Sequence, residues 1–179
     1  MVMPQANLSR TFSIRTVRQE EWPDFREVSL QMLADAPQAY LETLSEAQAR
    51  TPEQWQALVA QLCDISQGGA FFAEDQAGIC GCVRVVTDPR LPPEAVMASE
   101  LWVAPHQRGK GVGRSLMDAA TAWAQSFGAA QIILGVTGSN TSVLAFYQRL
   151  GYQDTGRRLT LPSNTTLEIK ILGRALKPR

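Results

Sequence analysis

The sequence predicts a single α/β domain, in which one mixed, mostly antiparallel sheet is flanked by about four helices. Three observations predict it. Apolar residues alternate with polar ones in short runs such as residues 12–17, whereas Leu116, Ala119, Ala120, Trp123 and Phe127 recur at helical spacing. The elements read in the order β-α-α-β-β-β-α-β-α-β-β, which a mixed sheet accommodates. The 179 residues, 45% hydrophobic and 19% charged, suffice for one sizeable core, and no stretch reads as an interdomain linker. The domain is expected to span residues 11–173, with tails at 1–10 and 174–179.

Residues 12–17 alternate as a half-buried strand does. Residues 20–35 follow as a helix with Trp22, Phe25, Val28, Met32 and Leu33 broadly on one side; Pro23 suits its first turn and Pro37 stops it. A loop through Tyr40 leads to a second helix at Thr51-Pro52-Glu53, where a cap, a first-turn proline and an acid meet. Gly68-Gly69 is expected to break the chain. Residues 70–74 and 78–87 then form a hairpin, and a proline-rich loop at 88–93 leads to a strand over 95–104. The helix after it ends at Gly128. Residues 131–136 are apolar and β-branched, as in a buried central strand. Asn140 can cap a helix over 141–150 that Gly151 ends, and residues 152–156 and 165–172 close the sheet, joined across 159–164.

Seventeen basic and seventeen acidic residues cancel, so no strong field recruits nucleic acid or an anionic membrane. No apolar run approaches the roughly 20 residues of a membrane helix. Residues 1–10 lack an apolar signal core, so a cytoplasmic protein is expected. Cys80 and Cys82 face one way on a strand and read as buried hydrophobes rather than metal ligands. His106, the only histidine, sits in a loop and is expected to be solvated, so neither a His-based triad nor a His-cluster metal site is expected.

The basic charge is local. Gly109, Gly111 and Gly113 alternate with Arg108, Lys110 and Arg114 between the strand at 95–104 and the helix that begins near Val112 and Ser115. Glycines let main-chain N–H groups approach an anion, and a helix start offers N–H groups without internal partners plus the positive end of its dipole. Glycines spaced by two throughout do not fit the dinucleotide fingerprint, and Lys110 followed by Gly111 does not fit a P-loop. It does fit Arg-x-x-Gly-x-Gly, as Arg108, Gly111 and Gly113.

That motif resembles the acetyl-CoA pyrophosphate loop of the GNAT superfamily of N-acetyltransferases. A second stretch adds to the resemblance. Asn140 to Gly151, followed by Tyr152, is similar to that family's last-helix signature, with Val143 at the small position and Tyr152 in place of a phenylalanine. The element order also matches the family's. The resemblance implies acetyl-CoA as cosubstrate, with no metal. Residues 108–115 would wrap the pyrophosphate. Main-chain groups of Leu101, Trp102 and Val103 would pair with the pantetheine arm, where the strand splays at a bulge. Asn140 would touch the cofactor's pantetheine or phosphate region, although as a plain helix cap it needs no ligand.

Two catalytic roles are implied as well. Tyr147 would protonate the departing sulfur; otherwise it is a packed aromatic. Glu100, a charge within an apolar strand run, needs a partner or a purpose. It would act as base, directly or through ordered water, or else pair with a strand arginine such as Arg84. Gly135 stands where some protein-acetylating relatives carry a glutamate base, which excludes that mechanism here. Asp35, Tyr40 and Trp55 are plausible lining residues of the acceptor site and equally plausible core or surface. The implied reaction is acetylation of a primary amine on a small molecule. The alternatives are acetylation of a protein N-terminus or lysine, and a CoA-binding regulatory module without turnover. A homodimer is the assembly the resemblance suggests.

Overall fold

The computed structural model describes residues 11–92, 94–137, 140–161 and 164–177. The expected tail at 1–10 lies outside the described residues. Strands are β1 (Ser13–Thr16), β2 (Gly68–Asp75), β3 (Gly78–Val86), β4 (Ala95–Val103), β5 (Gln131–Thr137), β6 (Gln153–Leu161) and β7 (Asn164–Ala175). Helices are α1 (Trp22–Asp35), α2 (Leu44–Ala49), α3 (Pro52–Cys63), α4 (Val112–Phe127) and α5 (Thr141–Arg149). The sheet order is β1-β2-β3-β4-β5-β7-β6. Only β4 and β5 run parallel among the described pairs.

Four elements differ from the sequence reading. β6 runs past the expected 156 to Leu161, into residues expected to be its connection to the last strand. Gly68-Gly69 does not break the chain: both are buried within β2, and a Cβ on Gly69 would lie 2.9 Å from the Trp123 indole, so the glycine lets α4 sit close to the sheet. The loop after Tyr40 contains α2, whose start is fixed by a capping box: the Thr43 hydroxyl accepts from Glu46 N–H and the Glu46 carboxylate accepts from Thr43 N–H. The last strand runs on to Ala175, two residues past the expected domain limit.

Both faces of the sheet are covered near β2 and β3. Alternation along β2 puts Phe72 on one side, 6.1 Å from Phe25 of α1, and Gly69 on the other, against Trp123 of α4. The face toward α4 continues through Val96, Ala98, Ile132, Leu134 and Val136, all buried, with Leu116, Met117, Ala120 and Ala124 facing them. The opposite face carries α1 and α3 over β2 and β3. Across β4, β5 and β7 that same face presents Met97, Ser99, Gly135, Ile171 and Ile169, which line a cavity.

Trp55 belongs to the core between α3 and α1. It is 1% exposed, lies edge-on to Phe25 at 6.4 Å and carries the Arg50 guanidinium 4.9 Å from its ring. It therefore lines no acceptor site. Trp55→Ala is expected to lower the unfolding free energy by about 3–5 kcal/mol, the usual cost of emptying a buried aromatic position. Urea denaturation measures this, and a loss below about 1 kcal/mol would show that the indole is not enclosed.

Candidate active site

The site originates in an irregularity of β4. Cys82 pairs with Trp102 and Arg84 with Ser99, so Val83 alone faces two residues, Glu100 and Leu101. This is a β-bulge, and Glu100 sits in it at φ +55, a conformation that glycine adopts far more readily. Such a residue costs about 1–3 kcal/mol and persists because the structure around it over-determines it. On its other edge β4 pairs with β5 only at Ala95, Val96 and Met97, after which the strands part.

A cavity of about 630 Å³ occupies the gap. Its lining takes Leu134 and Val136 from the α4 side of the sheet and Gly135, Ile169 and Ile171 from the other, so the opening passes between the strands. Ala104 N–H bonds to Cys80 on β3, so alternation turns the main-chain groups of Val103 and Leu101 into the gap and those of Trp102 toward β3. The Leu101 carbonyl accepts from the Tyr40 hydroxyl at 3.1 Å and the Val103 carbonyl from Arg108 Nε at 2.9 Å. Of the groups expected to meet a pantetheine arm, the N–H groups of Leu101 and Val103 point inward and those two carbonyls are already engaged. Trp102 contributes its indole instead, which donates to Asp35 at 3.0 Å.

Beyond Val103 the glycine turn opens onto α4. Gly109 and Gly111 hold φ +76 and +87, which aims successive N–H groups toward one side. The N–H groups of Gly109, Lys110, Gly111, Val112, Gly113 and Arg114 bond to no acceptor among the described residues, at the positive end of a helix of 16 residues. The expected span narrows at both ends. Ser115 N–H bonds to Gly111 O at 3.0 Å, and Arg108 N–H bonds to Pro105 O at 3.3 Å. The Arg108 guanidinium turns away from the cradle and pairs with Asp35. Arg108 thus braces the turn against α1, while Lys110 and Arg114 stand exposed beside it, Arg114 3.9 Å from Asp118. Val112 is 1% exposed and its side chain is core, so only its main chain is open to a ligand. His106 is not simply solvated: its Nε2 lies 2.9 Å from Asp75 Oδ2, which ties the turn to the β2–β3 hairpin.

Tyr147 projects from α5 into the cavity. Its ring packs edge-on between Phe146 at 5.1 Å and Tyr152 at 5.6 Å. Burial, with Tyr152 beside it, pushes the phenol well above its ordinary range, so it stays neutral as a donor. Asn140 lines the cavity, and its side chain caps α5 by accepting from Val143 N–H at 3.2 Å. Glu100 lies on the cavity wall with a side chain 14% exposed, and its Oε1 is 2.5 Å from Arg84 Nη2. Burial raises its carboxyl above the usual glutamate range even though Arg84 opposes the shift. Glu100 thus pairs with Arg84, as one of its two readings had it, and also faces the gap.

Asp35 and Tyr40, for which lining, core and surface were left open, line the cavity. Asp35 is held below the usual carboxylate range by the Trp102 indole N–H and by Arg108, so it is a compensated charge. The sequence reading did not find Glu42, Arg50, Leu159, Ile169 and Ile171, which also line the cavity. Glu42 and Arg50 flank α2 and bridge it at 2.7 Å; the Thr43-x-x-Glu46 box was the signal that could have placed them.

The acetyltransferase (GNAT) family profile matches residues 15–152, and the chain belongs to that family. An uncharacterized N-acetyltransferase of Methanocaldococcus jannaschii is 26% identical over 151 residues, 83% of this chain and 63% of its own length. Streptothricin acetyltransferase of Streptomyces lavendulae is 38% identical over 94 residues, 52% of this chain and 47% of its own. The chain therefore spans less than two thirds of these relatives. A protein of Salmonella typhimurium solved with its cofactor acetyl-CoA has the same fold, with TM-score 0.73 and 18% identity over 94% of this chain and 95% of its own. Among the described residues no helix is long and apolar enough to cross a membrane.

The Asp35 carboxylate, lowered in the folded state, contributes stability above its unfolded pKa of about 3.9, and that contribution is lost as pH falls through the folded value. Asp35→Asn is expected to cost about 1 kcal/mol at pH 7 and less near pH 3. Urea midpoints at the two pH values measure this, and an equal loss at both would show that the link to Arg108 and Trp102 does not depend on charge.

Proposed function

We propose that this chain transfers an acetyl group from acetyl-CoA to a primary amine of a small acceptor. One observation carries the reading. Six consecutive N–H groups without acceptors among the described residues follow Arg108, which lines the gap into which Leu101 and Val103 turn theirs. A linear ligand with a diphosphate at one end and amide groups along its arm fits that arrangement. Gly111 suits the close approach, since nothing within 4 Å occupies the place of its missing side chain.

Residues 109–114 would hold the diphosphate through main-chain N–H groups, with Lys110 and Arg114 adding charge. The N–H groups of Leu101 and Val103 would bind the arm. Bound acetyl-CoA supplies an acyl group activated as a thioester. Val103 N–H would donate to the thioester carbonyl oxygen as negative charge develops there.

An alkylammonium with a pKa near 10.4 is protonated at pH 7, and the deficit is about 3.4 units or roughly 4.6 kcal/mol. Glu100 removes part of it by taking a proton from the amine nitrogen, directly or through water. A carboxyl raised by burial is closer to the proton affinity this needs. Tyr147 serves as a hydrogen-bond donor at the sulfur position. Full transfer from a phenol above its ordinary value of about 10 to a thiolate near 8.5 is uphill by at least about 2 kcal/mol, so donation without release is its favoured role.

The reading is tested by thiol release from acetyl-CoA over a panel of amines. A CoA-binding module without turnover would bind CoA and release no thiol that depends on amine. Tyr147→Phe is expected to slow turnover tenfold or more, because it removes a hydrogen-bond donor to the charge that develops on sulfur, with acetyl-CoA affinity nearly unchanged. Unaltered turnover with chemistry rate-limiting would remove Tyr147 from this role. The acid limb of kcat/KM is expected to lie above about 4.3, the ordinary glutamate value, because Glu100 must be ionised to accept a proton. That limb should vanish in Glu100→Gln, and its persistence would assign the base elsewhere.

A further inference from the structure

The acceptor side of the cavity carries charges of both signs in contact. Arg84 and Glu100 form one pair and Arg50 and Glu42 another, and all four line the cavity. Asp35, also on the wall, is neutralised by Arg108. Three acids and three arginines leave the lining formally neutral. A polyamine, or any multiply charged cation, meets no excess of negative charge here. A molecule carrying one charge of each sign meets a partner for each.

When Glu100 accepts a proton it stops compensating Arg84, whose side chain is only 26% exposed. A partly desolvated cation left without a counterion is costly. A carboxylate on the acceptor would replace the lost partner. Because Arg84 and Glu100 touch, the groups that match them lie close together, as an amine and a carboxylate on one carbon do.

Next to these charges the floor is hydrocarbon. Ile169 and Ile171 of β7 lie against Met97 and Ile133. Gly135 has no Cβ, which permits Ile169 to lean across β5: a Cβ there would lie 2.9 Å from Ile169 Cγ2. Leu41 and Leu159, 62% and 55% exposed, line the cavity's rim.

We propose that the acceptor is an α-amino acid with an apolar side chain, whose ammonium faces Glu100, whose carboxylate faces Arg84 and whose side chain rests on the floor made by Met97, Ile169 and Ile171. This rests on the acetyltransferase reading above and narrows its substrate class.

The test uses the full chain with acetyl-CoA and matched acceptors: L-leucine, leucinamide, isoamylamine, glycine and spermidine. Leucine is expected to exceed leucinamide and isoamylamine at least tenfold in kcat/KM, a difference of about 1.4 kcal/mol. It is also expected to exceed glycine and spermidine. Isoamylamine or spermidine matching leucine would overturn the charge assignment while leaving acetyl transfer intact, and glycine matching leucine would overturn the apolar floor. Transfer to no amine at all would overturn both this inference and the acetyltransferase reading. Arg84→Gln also alters Glu100 and so acts on every amine, but the ratio of KM for isoamylamine to KM for leucine is expected to fall tenfold or more. Equal losses for both would refute the carboxylate contact. Calorimetry of leucine against the CoA-saturated protein adds a readout free of turnover, in which the same variant should weaken binding at least tenfold; unchanged binding would refute it.

Discussion

One extra residue in β4 sets the geometry on which everything else depends. Val83 faces both Glu100 and Leu101, the ladder with β3 survives on either side, and the mismatch turns β4 away from β5 beyond Met97. A parallel pair held along its whole length would have no room between its strands. Here the pairing stops after three positions and the chain leaves a gap instead. The residue at the irregularity is a glutamate in a left-handed conformation, so local strain and the one carboxylate on the inner strand coincide. Its neighbours hold it there: Arg84 by an ion pair and Cys82 by a thiol that donates to the Glu100 carbonyl at 3.5 Å.

The gap alone would be a defect without the braces around it. Asp35 at the end of α1 receives both the Trp102 indole and Arg108, and Tyr40 reaches the Leu101 carbonyl. The segment between α1 and α2 is thereby fastened to β4 beyond the bulge. Asp75 fastens the far side of the glycine turn through His106 and Gln107. Donors at helix starts bind anions well only when they are already aimed, since aiming them on binding costs conformational freedom. Gly109 and Gly111 aim them, and the braces keep the turn where it is.

Much of this was legible in the sequence, for reasons that differ by element. The cradle announces itself because only glycine meets its backbone demand, and glycines alternating with arginine and lysine before an amphipathic helix are visible as letters. Tyr147 and Asn140 were singled out only through the resemblance of residues 140–152 to the family's last-helix signature. The destination of Arg108 was not, because its guanidinium meets a residue 73 positions away and sequence spacing carries no sign of that pairing. Trp55 and Asp35 illustrate the same limit: one is core and the other lining, and only the packing of α1 against α3 and β4 separates them. Gly68-Gly69 misleads because glycine marks both chain breaks and close helix–strand approach, and Trp123, which decides between them, is over fifty residues away. The Glu42–Arg50 pair was hidden behind a short helix whose only announcement is its cap.

The central claim is that the turn after β4 and the parted edge of β4 together form one ligand-binding surface. Titration of the isotope-labelled chain with CoA, followed by amide resonances, tests it most directly. The account expects the N–H signals of residues 109–114 and those of Leu101 and Val103 to move together, saturating at a common concentration. Signals of those residues standing still while others shift, or an unchanged spectrum at millimolar CoA, would contradict it.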